Sequence, residues 1–254
     1  MDKLTFLSFT FLLSFCMYSC SNDDPEPKEN ASIMVHLKAD SPNPNNNIYL
    51  DIKEVWVRME NNDKEWISLD GASFIHNLNN TDQQPLVGYG SIPSGTIEQI
   101  KLSLGVANSI VVNDEEYKLN IPEELVFDTD ERIESGKIYN IDLSTGSNNA
   151  VSINDFGIYN FHPTLSASSH PITGISGKLS TTSPAKILVY NQDAVEPITT
   201  TQTKSLGGFM VSDLAPGVYQ LVVTAEGYAD YTRTVLVSQE HVTNIATIEL
   251  VPSR

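Results

Sequence analysis

The sequence is short of cysteine, of positive charge and of long apolar runs, and each shortage excludes something. Only two cysteines, Cys16 and Cys20, occur in 254 residues. Both precede the bulk of the chain, so no disulfide, thiolate zinc site or cysteine nucleophile is left to it, and its stability must come from packing. The chain has 15 Lys and Arg against 32 Asp and Glu, a formal net charge of −17. An anionic surface of that size repels nucleic acid and anionic headgroups, so no nucleic-acid partner is expected. No apolar run reaches the roughly 20 residues that a membrane-spanning helix needs. The five histidines (His36, His76, His162, His170 and His241) never form His-x-His or His-Glu-x-x-His, and Gly174-Ile-Ser-Gly177 falls short of Gly-x-Ser-x-Gly. No local zinc or nucleophile motif follows from them, and no metal, cofactor or catalytic residue is assigned. Separated carboxylates could still converge in space, which leaves a hydrolase as one alternative.

What is present begins at the N-terminus. Lys3 precedes an apolar run from Leu4 to Phe15, the layout of a secretory signal. The following stretch, Cys16-Met-Tyr-Ser-Cys20, resembles the lipobox of bacterial lipoproteins, with Ser19-Cys20 at its end. Met17 and Tyr18 depart from the usual Leu and small residue. The resemblance implies loss of residues 1–19 and acylation of Cys20, which would hold the protein at a membrane through two or three fatty chains. The alternative is an ordinary secretory signal with Cys20 as a bystander. Ser21-Asn22-Asp23-Asp24 is similar to the signal by which Gram-negative bacteria display lipoproteins outward, which implies an outer-membrane address facing the cell exterior. Residues 20–31 form an acidic, Pro-containing linker without large apolar side chains, expected to be disordered. Extended at about 3.1 Å per residue, its ten residues from Ser21 to Asn30 reach roughly 30 Å.

From Ser32 the pattern is strand-like throughout. Ile33, Val35 and Leu37 share one parity, and Ser41 to Asn47 then reads as a loop. In Ile48 to Glu60, Leu50 and Ile52 lie on one parity but Val55, Val57 and Met59 on the other. Both sets can face inward only if an extra residue intervenes, so a β-bulge or break is expected at Lys53-Glu54. Trp56 then shares the outward parity of Glu54, Arg58 and Glu60. It could stack on a sugar ring together with Trp66, making the two a candidate ligand platform; alternatively, a loop or neighbouring strand covers both rings. Short alternating segments follow up to Lys137–Leu143, and Asp155 to Leu165 is expected as a last strand. Asp128-Thr-Asp-Glu131 lacks the Gly and terminal Glu of a calcium loop and reads as a turn.

Residues 32–165 resemble the family known as domain of unknown function 4382. The resemblance rests on Ile52-Lys-Glu-Val-Trp-Val57, Trp66-Ile-Ser-Leu69 and Ile92-Pro-Ser-Gly-Thr-Ile-Glu-Gln-Ile-Lys-Leu102. It implies organisation and no active site. Ser166 to Pro171 reads as a linker, and residues 172–254 as a second module. There Gly177-Lys-Leu179, Ala185-Lys-Ile-Leu-Val189, Gly208-Phe209, Leu214-Ala-Pro-Gly-Val-Tyr219 and Gly227-Tyr228 are similar to the carboxypeptidase regulatory-like, transthyretin-like family of seven-stranded sandwiches. Leu206-Gly207 departs from that family's acidic residue and Gly. Pro216 is expected to set a turn in which Gly217 takes a positive φ, with Pro93-Ser-Gly95 as a parallel case.

The expectation is therefore an all-β chain of two antiparallel β-sandwich modules (immunoglobulin-like or prealbumin-like) behind a lipoprotein signal. Its work is binding, adhesion or scaffolding, with a glycan or surface protein as partner. An accessory glycan-binding role in polysaccharide uptake, through Trp56 and Trp66, is the second reading.

Overall fold

The computed structural model describes residues 30–39, 46–60, 65–71, 73–79, 85–146, 150–181, 183–192, 194–204 and 206–253. Among the described residues all regular structure is β. The N-terminal module contains β1 (Asn30–Ala39), β2 (Asn46–Met59), β3 (Trp66–Ser68), β4 (Phe74–Asn77), β5 (Leu86–Pro93), β6 (Gly95–Leu104), β7 (Ser109–Val112), β8 (Glu115–Asn120), β9 (Glu124–Ile133), β10 (Ile138–Gly146), β11 (Val151–Ile153), β12 (Tyr159–Phe161) and β13 (Thr164–Pro171). A four-stranded sheet, β13-β10-β1-β5, faces a nine-stranded one ordered β11-β12-β8-β7-β2-β6-β9, with β3 and β4 on the other edge of β2. Alternation drives the assembly: Ile33, Val35 and Leu37 from one sheet and Ile100, Leu102 and Phe127 from the other meet in one core. Each such side chain contributes about 1.5–3 kcal/mol on burial.

The expected bulge is there. Ile52 pairs with Leu104 but Glu54 pairs with Ser103, so Lys53 is the extra residue. It restores the parity, and Leu50, Ile52, Val55 and Val57 are all buried. A second register shift, between Arg58 and Met59, leaves Glu98 as the extra residue on β6.

The C-terminal module has seven strands: β14 (Gly174–Leu179), β15 (Ala185–Asn191), β16 (Thr199–Gln202), β17 (Gly208–Val211), β18 (Gly217–Ala225), β19 (Tyr231–Val237) and β20 (Val242–Ile248). They form sheets β17-β14-β20 and β16-β15-β18-β19 around a separate core that includes Ile187, Val189, Leu221 and Val223. Pairing is antiparallel in both modules except for β1–β10, β8–β12 and β14–β20, which are parallel.

Four local expectations are corrected. Residues 166–171 are not a linker: they lie in β13, hydrogen-bonded to β10. Leu165, Ala167 and Ser169 turn inward while Ser166, Ser168 and His170 are exposed, an alternation that small polar residues hide; Pro171 is tolerated because β13 is an edge strand. Asp155–Leu165 is not one strand, because a turn at Asn154–Ile158 precedes the short β12. Asp128–Glu131 is not a turn but part of β9, whose Leu125, Phe127 and Ile133 are buried. Gly217 does not have a positive φ. Asp213 takes that conformation instead, at φ 61°, and the Tyr219 hydroxyl donates to Ala215 O at 2.7 Å to hold the turn. Gly95 and Gly207 do have positive φ, 144° and 76°.

The modules join with almost no slack, since β13 ends at Pro171 and β14 starts at Gly174. Ile172 is 1% exposed, and its N–H donates to Ile138 O. Thr173 O accepts from Leu214 N, and Thr173 Oγ1 accepts from Glu240 N. Lys137 Nζ, in the N-terminal module, bridges Glu134 (2.9 Å) and Glu240 (2.8 Å). These two carboxylates, Glu134 first, hold the Lys137 ammonium above its usual range.

Candidate functional site

Cys20 and its lipobox lie outside the described residues. Trp56 and Trp66 are described, and the bulge at Lys53 puts Glu54, Trp56 and Arg58 together on the outer face of the large sheet. On one side, β3 pairs with β2 so that Trp66 lies opposite Arg58 and Ser68 opposite Trp56. On the other, Lys101 of β6 lies opposite Trp56. The two indoles therefore share a face, as their parity requires, and both are half-buried.

The space between them is occupied. Lys101 Nζ sits 4.7 Å from the Trp66 ring centroid and 5.8 Å from that of Trp56. The guanidinium carbon of Arg58 is 5.2 Å from the Trp66 centroid. Each cation also has a carboxylate, Lys101 with Glu124 at 3.0 Å and Arg58 with Glu98 at 3.0 Å. The Trp56 indole N–H donates to Glu54 at 3.1 Å. A cation over an indole face contributes about 0.5–1 kcal/mol where exposed and more where desolvated. The Lys101 side chain is only 15% exposed, so this ladder covers the outer face much as neighbouring strands would. The sequence reading missed Lys101 and Glu98. Lys101 lies between Ile100 and Leu102, and its outward direction could be read, but not its strand partner.

Further along β2 the same outer face carries Asp51, 5% exposed beneath the loop at residues 105–108. Asp51 Oδ1 pairs with Lys53 Nζ at 2.7 Å and Oδ2 accepts from Ala107 N at 3.2 Å. Asp51 N donates to Asn108 Oδ1, and Asn108 Nδ2 donates to Gly105 O. The Lys53 ammonium is the main cause that keeps the Asp51 carboxyl below its ordinary range; desolvation by burial opposes it less strongly. Gly105 is required here, because a Cβ at that position would come within 2.1 Å of Asp51 Oδ2. Burial lowers His76 below the ordinary imidazole value.

Beside this loop is a groove of about 670 Å³ whose walls include Tyr49, Ile75, Val106 and Tyr117. A second, of about 420 Å³, shares Tyr117 and Lys118 and reaches Tyr159 and Ile158. The Tyr117 hydroxyl donates to Glu115, which raises the phenol above its ordinary pKa.

Among the described residues no group of three or more His, Cys, Asp and Glu side chains is placed to hold a metal ion. One row does bring nucleophile-triad residue types together. On the outer face of the four-stranded sheet His36 lies opposite Asp142, and Asp142 opposite Ser168. The order is wrong for catalysis: Asp142 stands in the middle, and His36 is two strands, roughly 10 Å, from the hydroxyl it would have to activate.

A family model described as "Domain of unknown function (DUF4382)" matches residues 31–163, more than half of the chain. The model "Carboxypeptidase regulatory-like domain" matches residues 175–251. No curated protein matches. Among solved structures, the Bacillus anthracis TIE protein is 12% identical over 87% of this chain and 34% of its own, at a TM-score of 0.28. The Streptococcal ancillary pilin is 10% identical over 89% and 63%, at 0.25. The minor pilin GBS52 of Streptococcus agalactiae is 13% identical over 89% and 97%, at 0.26. This chain thus spans about a third of the length of the first of these, and likenesses at such TM-scores support no inference about it.

Proposed function

Because this chain belongs, over residues 31–163, to the family of the domain of unknown function DUF4382, we propose that it is a non-catalytic binding and scaffolding module. In this reading it is tethered at the outer membrane by lipid on Cys20 and faces the cell exterior. One observation carries the non-catalytic part. The buried carboxylate Asp51 has both oxygens committed to structure, one to Lys53 and one to the Ala107 amide. Asn108, buried beside it, is likewise committed, with its amide oxygen accepting from Asp51 N and its amide nitrogen donating to Gly105 O. A general acid or base needs a carboxyl free to exchange a proton with substrate. The hydrolase alternative draws no support from the Ser168–Asp142–His36 row, for the reason of order given above.

The tether is tested by mass spectrometry of the N-terminal peptide from membrane-extracted protein and by protease treatment of intact cells. Expected are a diacylated or triacylated Cys20 as first residue, digestion from outside, and release of Cys20→Ala into the soluble fraction. An intact leader or a lipid-free terminus would overturn the anchoring. Turnover of a glycan or peptide by the purified protein would overturn the non-catalytic reading.

The glycan-binding reading stands second, favoured by the shared face of Trp56 and Trp66. A sugar ring would have to displace Lys101 from both indoles and from Glu124. Tryptophan emission that stays constant across a panel of glycans would rule this platform out.

A further inference from the structure

In the C-terminal module β16 and β17 follow one another but belong to different sheets. They part from a hairpin-like turn, where Gly207 N donates to Lys204 O at 2.9 Å and Lys204 N to Gly208 O at 2.8 Å. The ladder stops there, because β16 pairs with β15 and β17 with β14. Between the parted strands lies a groove of about 430 Å³, lined by residues 198–201 on one side and 210–214 on the other. The alternation of bonds shows which backbone groups face it. Leu179 N donates to Gly207 O, so Lys178 and Gly208 are a non-bonded pair and the bonds to β14 come from Phe209 and Val211. Met210 therefore turns its N–H and C=O away from β14 and toward the groove. By the same rule, the bond from Thr203 N to Ala185 O turns the backbone of Thr200 and Gln202 away from β15. Among the described residues no backbone bond joins these two edges beyond Gly208.

A row of edge donors and acceptors is matched by one chemistry, another extended backbone. Natural sheet edges are commonly guarded by charged side chains. These two carry none: β16 reads Thr-Thr-Thr-Gln and β17 Gly-Phe-Met-Val, in a chain that is 19% charged. Asp213 is the one formal charge among the described residues lining the groove, and it lies exposed just past the end of β17. Ile198, 45% exposed, gives the groove an apolar wall. The chain's own segment from Ser21 to Asn30 is a poor match, since it is acidic and Pro25 and Pro27 lack the donors a ladder needs. We propose that the groove takes an extended peptide segment of a partner protein, added antiparallel to β17 as a fourth strand of its sheet. The segment's alternate side chains are apolar and lie against Ile198, and a Lys or Arg at its N-terminal end meets Asp213. Antiparallel pairing sets that polarity, since β17 runs from Gly208 toward Asp213. The inference rests on the binding role proposed above, and on neither the tether nor the tryptophans.

The test titrates the peptide acetyl-Lys-Thr-Val-Thr-Val-Thr-amide into the isotope-labelled full chain carrying Cys20→Ala, followed by nuclear magnetic resonance. Expected are slower hydrogen exchange at the Met210 amide and binding at least about tenfold weaker to Met210→Pro. That substitution removes the edge donor and keeps the bonds of Phe209 and Val211 to β14, so the melting curve should hold. Should the variant unfold, a second probe carries the test: the same peptide methylated on its threonine nitrogens, which face Met210 when the valines turn inward, should not bind the wild-type chain. Exchanging the peptide's Lys for Glu should also weaken binding, and Asp213→Asn, a residue that accepts the same left-handed backbone, should abolish that preference. Absence of protection at Met210 with millimolar peptide would overturn the inference, as would equal binding of the methylated peptide or equal binding to Met210→Pro. Self-association of the chain that Met210→Pro abolishes, without uptake of the peptide, would overturn it by making a second copy the occupant. None of these outcomes touches the non-catalytic reading, which turnover of a substrate would sink.

Discussion

The clearest energetic consequence of the structure concerns Asp51. Replacing it with Ala removes a charged acceptor from Ala107 N and a partner from Lys53, while leaving the backbone bond from Gly105 N to Asp51 O in place. A hydrogen bond to a charged group contributes about 1.5–3 kcal/mol. The ion pair adds little, about 0–1 kcal/mol, because Lys53 is 47% exposed. Ala107 is itself exposed, so its freed N–H reaches water and no further burial penalty arises. A loss of about 2 kcal/mol at neutral pH is therefore expected, or about 4–8 °C in the melting temperature of the N-terminal module. The sign with pH follows from the lowered carboxyl of Asp51. Its contribution is fully present above the unfolded-state value, about 3.9, and is lost as pH falls through the folded value. Scanning calorimetry of wild type and Asp51→Ala at constant ionic strength should thus give curves well separated at pH 7 that converge as pH falls below about 4. A separation that is equally large at pH 3 would show that the carboxylate's charge is not the source, and would refute the reasoning.

The remaining predictions concern packing and the joint. Gly207→Ala forces a left-handed conformation costing about 1–2 kcal/mol, and its Cβ would lie 2.7 Å from Leu179 O; urea unfolding should show the C-terminal module alone destabilised. Ile172→Ala opens a cavity at the joint and should cost about 2–4 kcal/mol, with limited proteolysis newly cutting between Pro171 and Gly174. Lys101→Ala uncovers both indoles, so tryptophan emission should shift to the red and collisional quenching by iodide should rise, with no change expected for Lys186→Ala in the other module. Gly105→Ala should mimic Asp51→Ala at pH 7, because the new Cβ displaces the Asp51 carboxylate from the loop.

Where one face of a strand is buried, the sequence makes its arrangement readable, and where both faces are mixed it does not. Parity alone located the bulge of β2 at Lys53-Glu54, because five apolar side chains had to face one core, and the pairing makes Lys53 the extra residue. The same reasoning placed Trp56 outward, while the nearness of Trp66 rested on the hairpin expected between them. It failed at β9, where three acidic residues among Asp128–Glu131 outweighed the inward Leu125 and Phe127, and at β13, whose inward side chains are small. The parallel pairs were also invisible: β1 and β10 are joined through most of the module, and no turn residue records such a partnership. The cations of the aromatic ladder were lost for a related reason, since Lys101 meets Trp66 across an intervening strand and local spacing carries no information about that contact.

The two ends of the N-terminal sandwich are built differently, and the topology shows how. Asn30 pairs with Pro93 and its carbonyl accepts from Gly136 N, close to Lys137 and the joint. β2 runs from the other end, where Asn46–Tyr49 pair with β7 and, through β8 and β12, support the hairpin of Phe156. β2 is fourteen residues long from Asn46 to Met59, a span of roughly 45 Å. Ile153 and Phe156 are thus exposed at the end of the module opposite the joint, where neither hydrophobic core reaches them.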